Sequence, residues 1–164
     1  MFDILITKSN FSTHIASDQC ITILNQLKLR RLHQAVFLRF TPETKALLSL
    51  IEPYVIYGSP NISTVRDLIF KYGFIKYKGK KTPISSNTKI EEVFGEQGII
   101  CLEDIIHEIF TCGPAFVKVQ SSLIPFTLPN PKEGWTGKKG LSFQKGGTAG
   151  YRGEHVNEFL KTIL

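Results

Sequence analysis

The chain predicts an α+β fold: a small sheet with two helices on one face, then a helix and hairpin extension, then a basic, glycine-rich C-terminal arm. Three observations predict it. Over the first sixty residues, short β-prone runs alternate twice with apolar positions at helical spacing. Proline and glycine punctuate these segments at Pro53, Gly58, Pro60, Gly73, Gly95, Gly113 and Pro114. Beyond Pro129 and Pro131, glycines alternate with lysines and arginine in a stretch poor in aliphatic residues. At 164 residues the chain suffices for one domain with appendages. The division is 1–60 for the core, 61–128 for an extension packed on it, and 129–164 for the arm and a short terminal helix.

Phe2 to Thr7, rich in Ile and Leu, reads as a buried strand. From Ser17, which with Asp18 can cap a helix start, Cys20, Ile21, Ile23, Leu24 and Leu27 recur at helical spacing. Ala35 to Phe40 is a second strand. Thr41-Pro42-Glu43 opens a second helix, with Thr41 as N-cap, Pro42 in the first turn, and Ala46, Leu47, Leu50 and Ile51 as its buried stripe. Tyr54 to Tyr57 is a third β-prone run. Two helices crossing between three strands pack on one face of a sheet and leave the other open to a partner.

Asn61 to Tyr72 predicts a third helix through Ile62, Val65, Leu68 and Ile69, ended by Gly73. Phe74 to Tyr77 and Lys81 to Ile84 form a lysine-rich hairpin turning at Lys78-Gly79-Lys80. Thr88 to Phe94 and Leu102 to Phe110 are short helices stopped at Gly95 and near Gly113-Pro114. Glu154 to Leu164 forms a terminal helix using Val156, Phe159, Leu160 and Ile163.

Charge favours an acidic partner, with a net +6 and a pI near 9.3. Its distribution says more. Lys76, Lys78, Lys80 and Lys81 fall in a stretch without acids, whereas Glu91, Glu92, Glu96, Glu103, Asp104 and Glu108 come next with no Lys or Arg before Lys118. In the arm, Lys132, Lys138, Lys139, Lys145 and Arg152 alternate with seven glycines between 134 and 153, interrupted by the single acid Glu133. So few aliphatic side chains cannot offset the chain entropy of ordering, so an outside surface is expected to order the arm. Glycine lets a backbone approach closely and Lys and Arg attract phosphate, so that surface reads as nucleic acid. Three cysteines in apolar runs and no secretory leader predict a reducing, intracellular setting. No apolar window reaches a membrane span, and the expectation is a soluble protein with no membrane partner.

The run Leu27-Lys28-Leu29-Arg30-Arg31-Leu32-His33-Gln34, followed by a strand and the Thr41-Pro42 helix start, resembles the core of a universal large-subunit ribosomal protein family, numbered thirty in bacteria and archaea and seven in eukaryotes. Ile51 to Val55, Gly58 to Asn61, the hairpin after Gly73, and Gly98 to Ile109 are similar to the eukaryotic form. Gly146 to Glu154, with Asn157, resembles the tail of archaeal and eukaryotic members. The resemblance covers nearly the whole chain. It implies a ferredoxin-like three-stranded antiparallel sheet backed by two helices, binding to large-subunit rRNA near the 5S rRNA, neighbouring large-subunit proteins as partners, and one copy per ribosome. It implies a cytoplasmic ribosome, assembled in the nucleolus if the source is eukaryotic. Eukaryotic members carry a basic extension before the first strand, and this sequence begins almost at the strand, as archaeal members do; the contacts of that extension are expected to be missing or replaced. Nucleolar assembly factors share the same core and a similar tail, which makes a factor acting on precursor particles the alternative reading.

Candidate RNA-binding residues fall in three groups. Lys28, Arg30, Arg31 and His33 lie at the end of the first helix and the turn into a strand. Cations there can simply satisfy terminal carbonyls, but guanidinium also binds phosphate bidentately. Lys76, Lys78, Lys80 and Lys81 can contact RNA or guard a strand edge. Lys132, Lys138, Lys139, Lys145, Tyr151 and Arg152 belong to the arm with Trp135, whose ring can stack on a splayed base or tuck against protein.

No catalytic residue, metal site or cofactor is expected. Gly134-Trp135-Thr136-Gly137-Lys138-Lys139 is two residues short of a phosphate-binding loop and lacks the Ser or Thr after its lysine. Cys101, His107 and Cys112 match no metal-ligand spacing. Glu103, Asp104, His107 and Glu108 share helix faces but have no nucleophile motif beside them, and read as a solvated face or one that meets a basic protein. Neutralising about six phosphates predicts affinity falling with salt at a log–log slope of roughly −4 to −5.

Overall fold

The computed structural model describes residues 3–8, 17–131, 134 and 137–164. The first sixty keep the expected order: β1 (Asp3–Lys8), α1 (Asp18–Gln26), β2 (Gln34–Arg39), α2 (Pro42–Ile51) and β3 (Val55–Gly58). Both helix starts are capped by the residues the sequence nominated. The Ser17 side chain accepts from the Cys20 N–H, and Thr41 and Thr44 form a reciprocal box with Pro42 in the first turn. The buried side of α2 differs from expectation. It carries Leu48 and Ile51, while Leu50 is 58% exposed and Ala46 faces solvent.

β1 is central to this unit and runs antiparallel to both neighbours, with Thr7 opposite Ala35 of β2 and Ile56 of β3. Next in the chain come α3 (Ile62–Tyr72), β4 (Phe74–Tyr77), β5 (Lys80–Pro83), α4 (Asn87–Phe94) and α5 (Leu102–Thr111). The sequence reading missed α6 (Phe116–Ser122) and β6 (Phe126–Thr127). The chain closes with β7 (Lys138–Ser142), β8 (Gly147–Gly153) and α7 (Val156–Lys161). No helix among the described residues is long and apolar enough to cross a membrane.

The structure corrects two expectations. Among the described residues the sheet has six strands, in the order β6-β2-β1-β3-β8-β7, with β4 and β5 as a separate hairpin. The three-stranded unit is therefore its centre. The described part of the arm belongs to this sheet, β8 lying parallel to β3 with Ile56 opposite Gly150 and Tyr57 opposite Tyr151. The tail needs no core of its own because it completes an existing one: Thr148 and Ala149 are buried in the strand, and Val156, Leu160 and Ile163 anchor the C-terminal end. A glycine at 58 is required where β3 meets β8, since a Cβ there would lie 2.3 Å from the Gly153 carbonyl oxygen and 2.9 Å from the Val156 Cβ.

The second correction concerns the face expected to be open. Alternate residues of β2 enter different clusters, as period-two geometry requires. Val36 packs with Ile23, Leu24, Leu48 and Ile51 of α1 and α2. Ala35 and Phe37 pack with side chains of α3, α5, α6 and α7, including Val65, Ile105, Phe116 and Val156. Both faces are covered, and each fully buried aliphatic or aromatic side chain contributes about 1.5–3 kcal/mol.

Candidate nucleic-acid interface

The turn between α1 and β2 is held by one apolar residue and displays cations around it. Leu29 is fully buried, and its N–H donates to the Leu24 carbonyl at 2.8 Å. With that residue pinned, Lys28 is forced to a φ of 61° and His33 to 58°. Left-handed backbone costs a branched or long side chain about 1–2 kcal/mol, so the packing of Leu29 must outweigh it. Lys28 then reaches the carbonyl of Ser121 at 3.2 Å, while Arg30 and Arg31 remain exposed.

These cations surround an open hollow of about 460 Å³ lined by Lys28, Arg30, Arg31, Gln34 and Pro125. The Gln34 side-chain oxygen accepts from the Arg31 N–H at 2.8 Å, which leaves its NH₂ as the polar group available to a ligand. Three cations with an amide donor suit a phosphate, and guanidinium can bind it bidentately. His33 contributes differently. Burial pushes its pKa below the usual 6.5, so the imidazole is neutral near pH 7 and offers hydrogen bonding rather than charge.

The lysine hairpin is tied to the same connecting segment. Ile75 of β4 bridges to Leu123, and the Ile124 N–H donates to the Phe74 carbonyl at 2.9 Å. Residues 121–127 thus link the hairpin to the basic turn. Within the hairpin, Lys76 stands opposite Lys81 and Tyr77 opposite Lys80. Lys81 lies over the Phe74 ring at 4.0 Å. Lys78 lies over the Tyr77 ring at 4.7 Å and 3.6 Å from the Glu92 carboxylate, to which the Tyr77 hydroxyl also donates. Contact with Tyr77, then with Glu92, raises the Lys78 pKa, and the Tyr77 hydroxyl holds the Glu92 carboxyl below its ordinary value. Lys76 and Lys80 stay exposed.

Toward the other edge of the sheet, three to four strand spacings from β2 or about 14–19 Å, lie the arm residues. Lys138 and Lys145 are exposed. Tyr151 is 46% exposed, with its ring 5.5 Å from that of Tyr57. Burial, then Glu52 and Tyr151, raise the Tyr57 pKa. Arg152 turns inward. Its guanidinium sits 5.0 Å over Phe143 and 4.6 Å over Phe159 and donates to the Thr148 carbonyl at 2.8 Å, and burial lowers its pKa. It serves the fold. Lys139 belongs to β7 by its backbone, whereas Lys132 and Trp135 lie outside the described residues.

Several acids of the acidic helix also make contacts within the fold. Asp104 accepts from the N–H groups of Ile100 and Cys101, both at 2.9 Å, and these bonds hold its carboxyl below the usual range. Glu103 pairs with Arg66 at 2.8 Å, and Glu108 accepts from the Ala115 N–H at the start of α6. Cys20, Cys101 and Cys112 form no disulfide. Among the described residues, no three His, Cys, Asp or Glu side chains come together as a metal site. Sequence reasoning did not nominate Gln34, although it lies three residues from Arg31, and missed Pro125, which only the fold brings beside the basic turn.

No family model matches the chain. It is similar to large ribosomal subunit protein uL30 of Yarrowia lipolytica, at 43% identity over 140 residues, 85% of this chain and 56% of that protein. It is likewise similar to uL30 of Caenorhabditis elegans, at 43% identity over 141 residues, 86% of this chain and 57% of that protein. Large ribosomal subunit protein uL30A of Schizosaccharomyces pombe is 44% identical over 139 residues, 85% of this chain and 56% of that protein. The chain spans little more than half the length of these curated relatives. Across most of its own length, it is a homologue of proteins named large ribosomal subunit protein uL30.

Proposed function

We propose that the protein is a structural constituent of the large ribosomal subunit, one that binds and stabilises large-subunit rRNA and performs no catalysis. The observation that carries this reading is identity above 40% to uL30 proteins over about 85% of the chain. The geometry supports it: a cationic hollow on the turn after α1 and a lysine hairpin tied to the same segment suit phosphate contacts that position a body on folded RNA. In the finer reading, the protein occupies one copy per ribosome close to the 5S rRNA, touches neighbouring large-subunit proteins through its acidic helices, and works in the cytoplasm after assembly. Lys28, Arg30, Arg31, Lys76 and Lys80 are the leading contacts of the body, and Lys138 and Lys145 form a second footprint at the far edge.

Gradient sedimentation of tagged protein from cells of the source organism tests this. The expected result is co-migration with mature large subunits and translating ribosomes. Recovery only in precursor fractions would replace the proposal with an assembly factor, and recovery only as free protein would overturn both.

A further inference from the structure

Beside the cationic hollow runs a narrower apolar groove of about 70 Å³, and the two share Lys28 and Pro125 as their common wall. The groove exists because the sheet stops there. β6 pairs with β2 only at Gln34 and Ala35, opposite Thr127 and Phe126. The next bond of the ladder would come from Ile124, but its N–H donates to the Phe74 carbonyl at 2.9 Å and Leu123 bridges to Ile75, so residues 123–125 leave the edge of β2. Leu27, Val36, Leu38 and Leu123 line the resulting cleft, and the amides of Gln26 and Gln120 join the lining.

We infer that this paired site holds a single unstacked nucleotide of RNA, its phosphate in the hollow and its base in the groove; the inference rests on the RNA-binding reading above. Three features select that occupant. The hollow is lined by three cations and, among the described residues, no carboxylate, so it selects an anionic group. The groove is lined chiefly by apolar side chains and at about 70 Å³ admits the edge of a base that has left its stack. Gln26 and Gln120 each carry a donor and an acceptor, as reading a base edge requires. Lys28 is fixed by its bond to the Ser121 carbonyl, so the wall between the two compartments is preformed. A duplex keeps its bases stacked and can satisfy the hollow alone.

The test measures binding of the full chain to a single-stranded RNA octamer and to a duplex of equal phosphate number at low salt. Methyl NMR with adenosine 5′-monophosphate and with ribose 5-phosphate accompanies it. The expected result is single-strand binding about tenfold tighter than duplex binding. The double variant Gln26→Ala, Gln120→Ala should abolish that preference without changing duplex affinity. Adenosine monophosphate should shift the methyls of Leu27, Leu38 and Leu123, and ribose 5-phosphate should leave them in place. Equal affinities that ignore the glutamine variant would overturn the nucleotide site while leaving RNA binding intact. Loss of both RNAs would instead remove the RNA-binding reading itself. If a leucine-rich acidic peptide moved those methyls and the mononucleotide did not, the groove would belong to protein and the inference would be wrong.

Discussion

The Lys28 ammonium donates to the carbonyl of Ser121 across 93 residues of sequence, at 3.2 Å. One bond thus joins the turn after α1 to the segment that carries the lysine hairpin, and it does so from a residue held at a φ of 61°. The strain belongs to the burial of Leu29. The left-handed backbone closes the end of α1, and the bond to Ser121 is what fixes the side chain.

Lys28→Gly separates the two roles. Glycine relieves the left-handed conformation, so stability in urea should stay within about 1 kcal/mol of the parent or exceed it. Affinity for large-subunit rRNA fragments should fall several-fold. A filter-binding titration that showed parental affinity would remove Lys28 from the interface.

Arg152 makes the opposite prediction. Its guanidinium is held between Phe143 and Phe159 and bonded to Thr148, so Arg152→Ala should destabilise the protein by about 2 kcal/mol. RNA affinity of the folded variant should match the parent. An unaltered urea midpoint together with weakened RNA binding would show that the guanidinium faces the ligand.

Asn157 ties the terminal helix to the body. Its side-chain oxygen accepts from the Asn61 N–H at 2.8 Å and the Thr64 hydroxyl at 2.9 Å, and its NH₂ donates to the carbonyls of Ser59 at 3.2 Å and Glu154 at 2.8 Å. Thr64 is buried, so Asn157→Ala leaves it without this acceptor and should cost about 2–3 kcal/mol. Hydrogen exchange should accelerate at the start of α3 as well as in α7. Acceleration confined to α7 would mean that the two ends are not coupled.

How far the sequence revealed this molecule depends on where each element finds its partners. α1 and α2 were readable because Ser17, Thr41 and Pro42 act locally, and α3 because Val65, Leu68 and Ile69 face the core at helical spacing. β8 was hidden. Its Gly-Thr-Ala-Gly run has no alternating apolar pattern, and it is held by the edge of β3, some ninety residues earlier. A segment too poor in aliphatic residues to form its own core can still order as a strand that borrows one. α6 was too short to show a period, with only Phe116 and Val119 buried. Of the candidate site, the cations of the basic turn were visible and their enclosure was not, because Pro125 meets them only through the β2–β6 pairing.

The Asp104 carboxyl gives a pH signature. Its folded pKa lies below the ordinary 3.8 because it accepts from the Ile100 and Cys101 N–H groups. Between the folded value and 3.8 the unfolded chain binds more protons, so this contribution is complete above pH 3.8 and disappears as the pH falls through the folded value. Thermal midpoints of Asp104→Asn should lie below the parent's at pH 5 and converge with them in stronger acid. A constant gap across that range would mean that the carboxylate charge plays no part in the cap.

The salt dependence of RNA binding decides whether the turn between α1 and β2 holds phosphate. For the chain with large-subunit rRNA, log affinity against log salt should have a slope of roughly −4 to −5, and the double variant Arg30→Ala, Arg31→Ala should reduce its magnitude by about 1.5. A slope near zero, or one that the double variant leaves unchanged, would contradict a phosphate-binding role for the turn between α1 and β2.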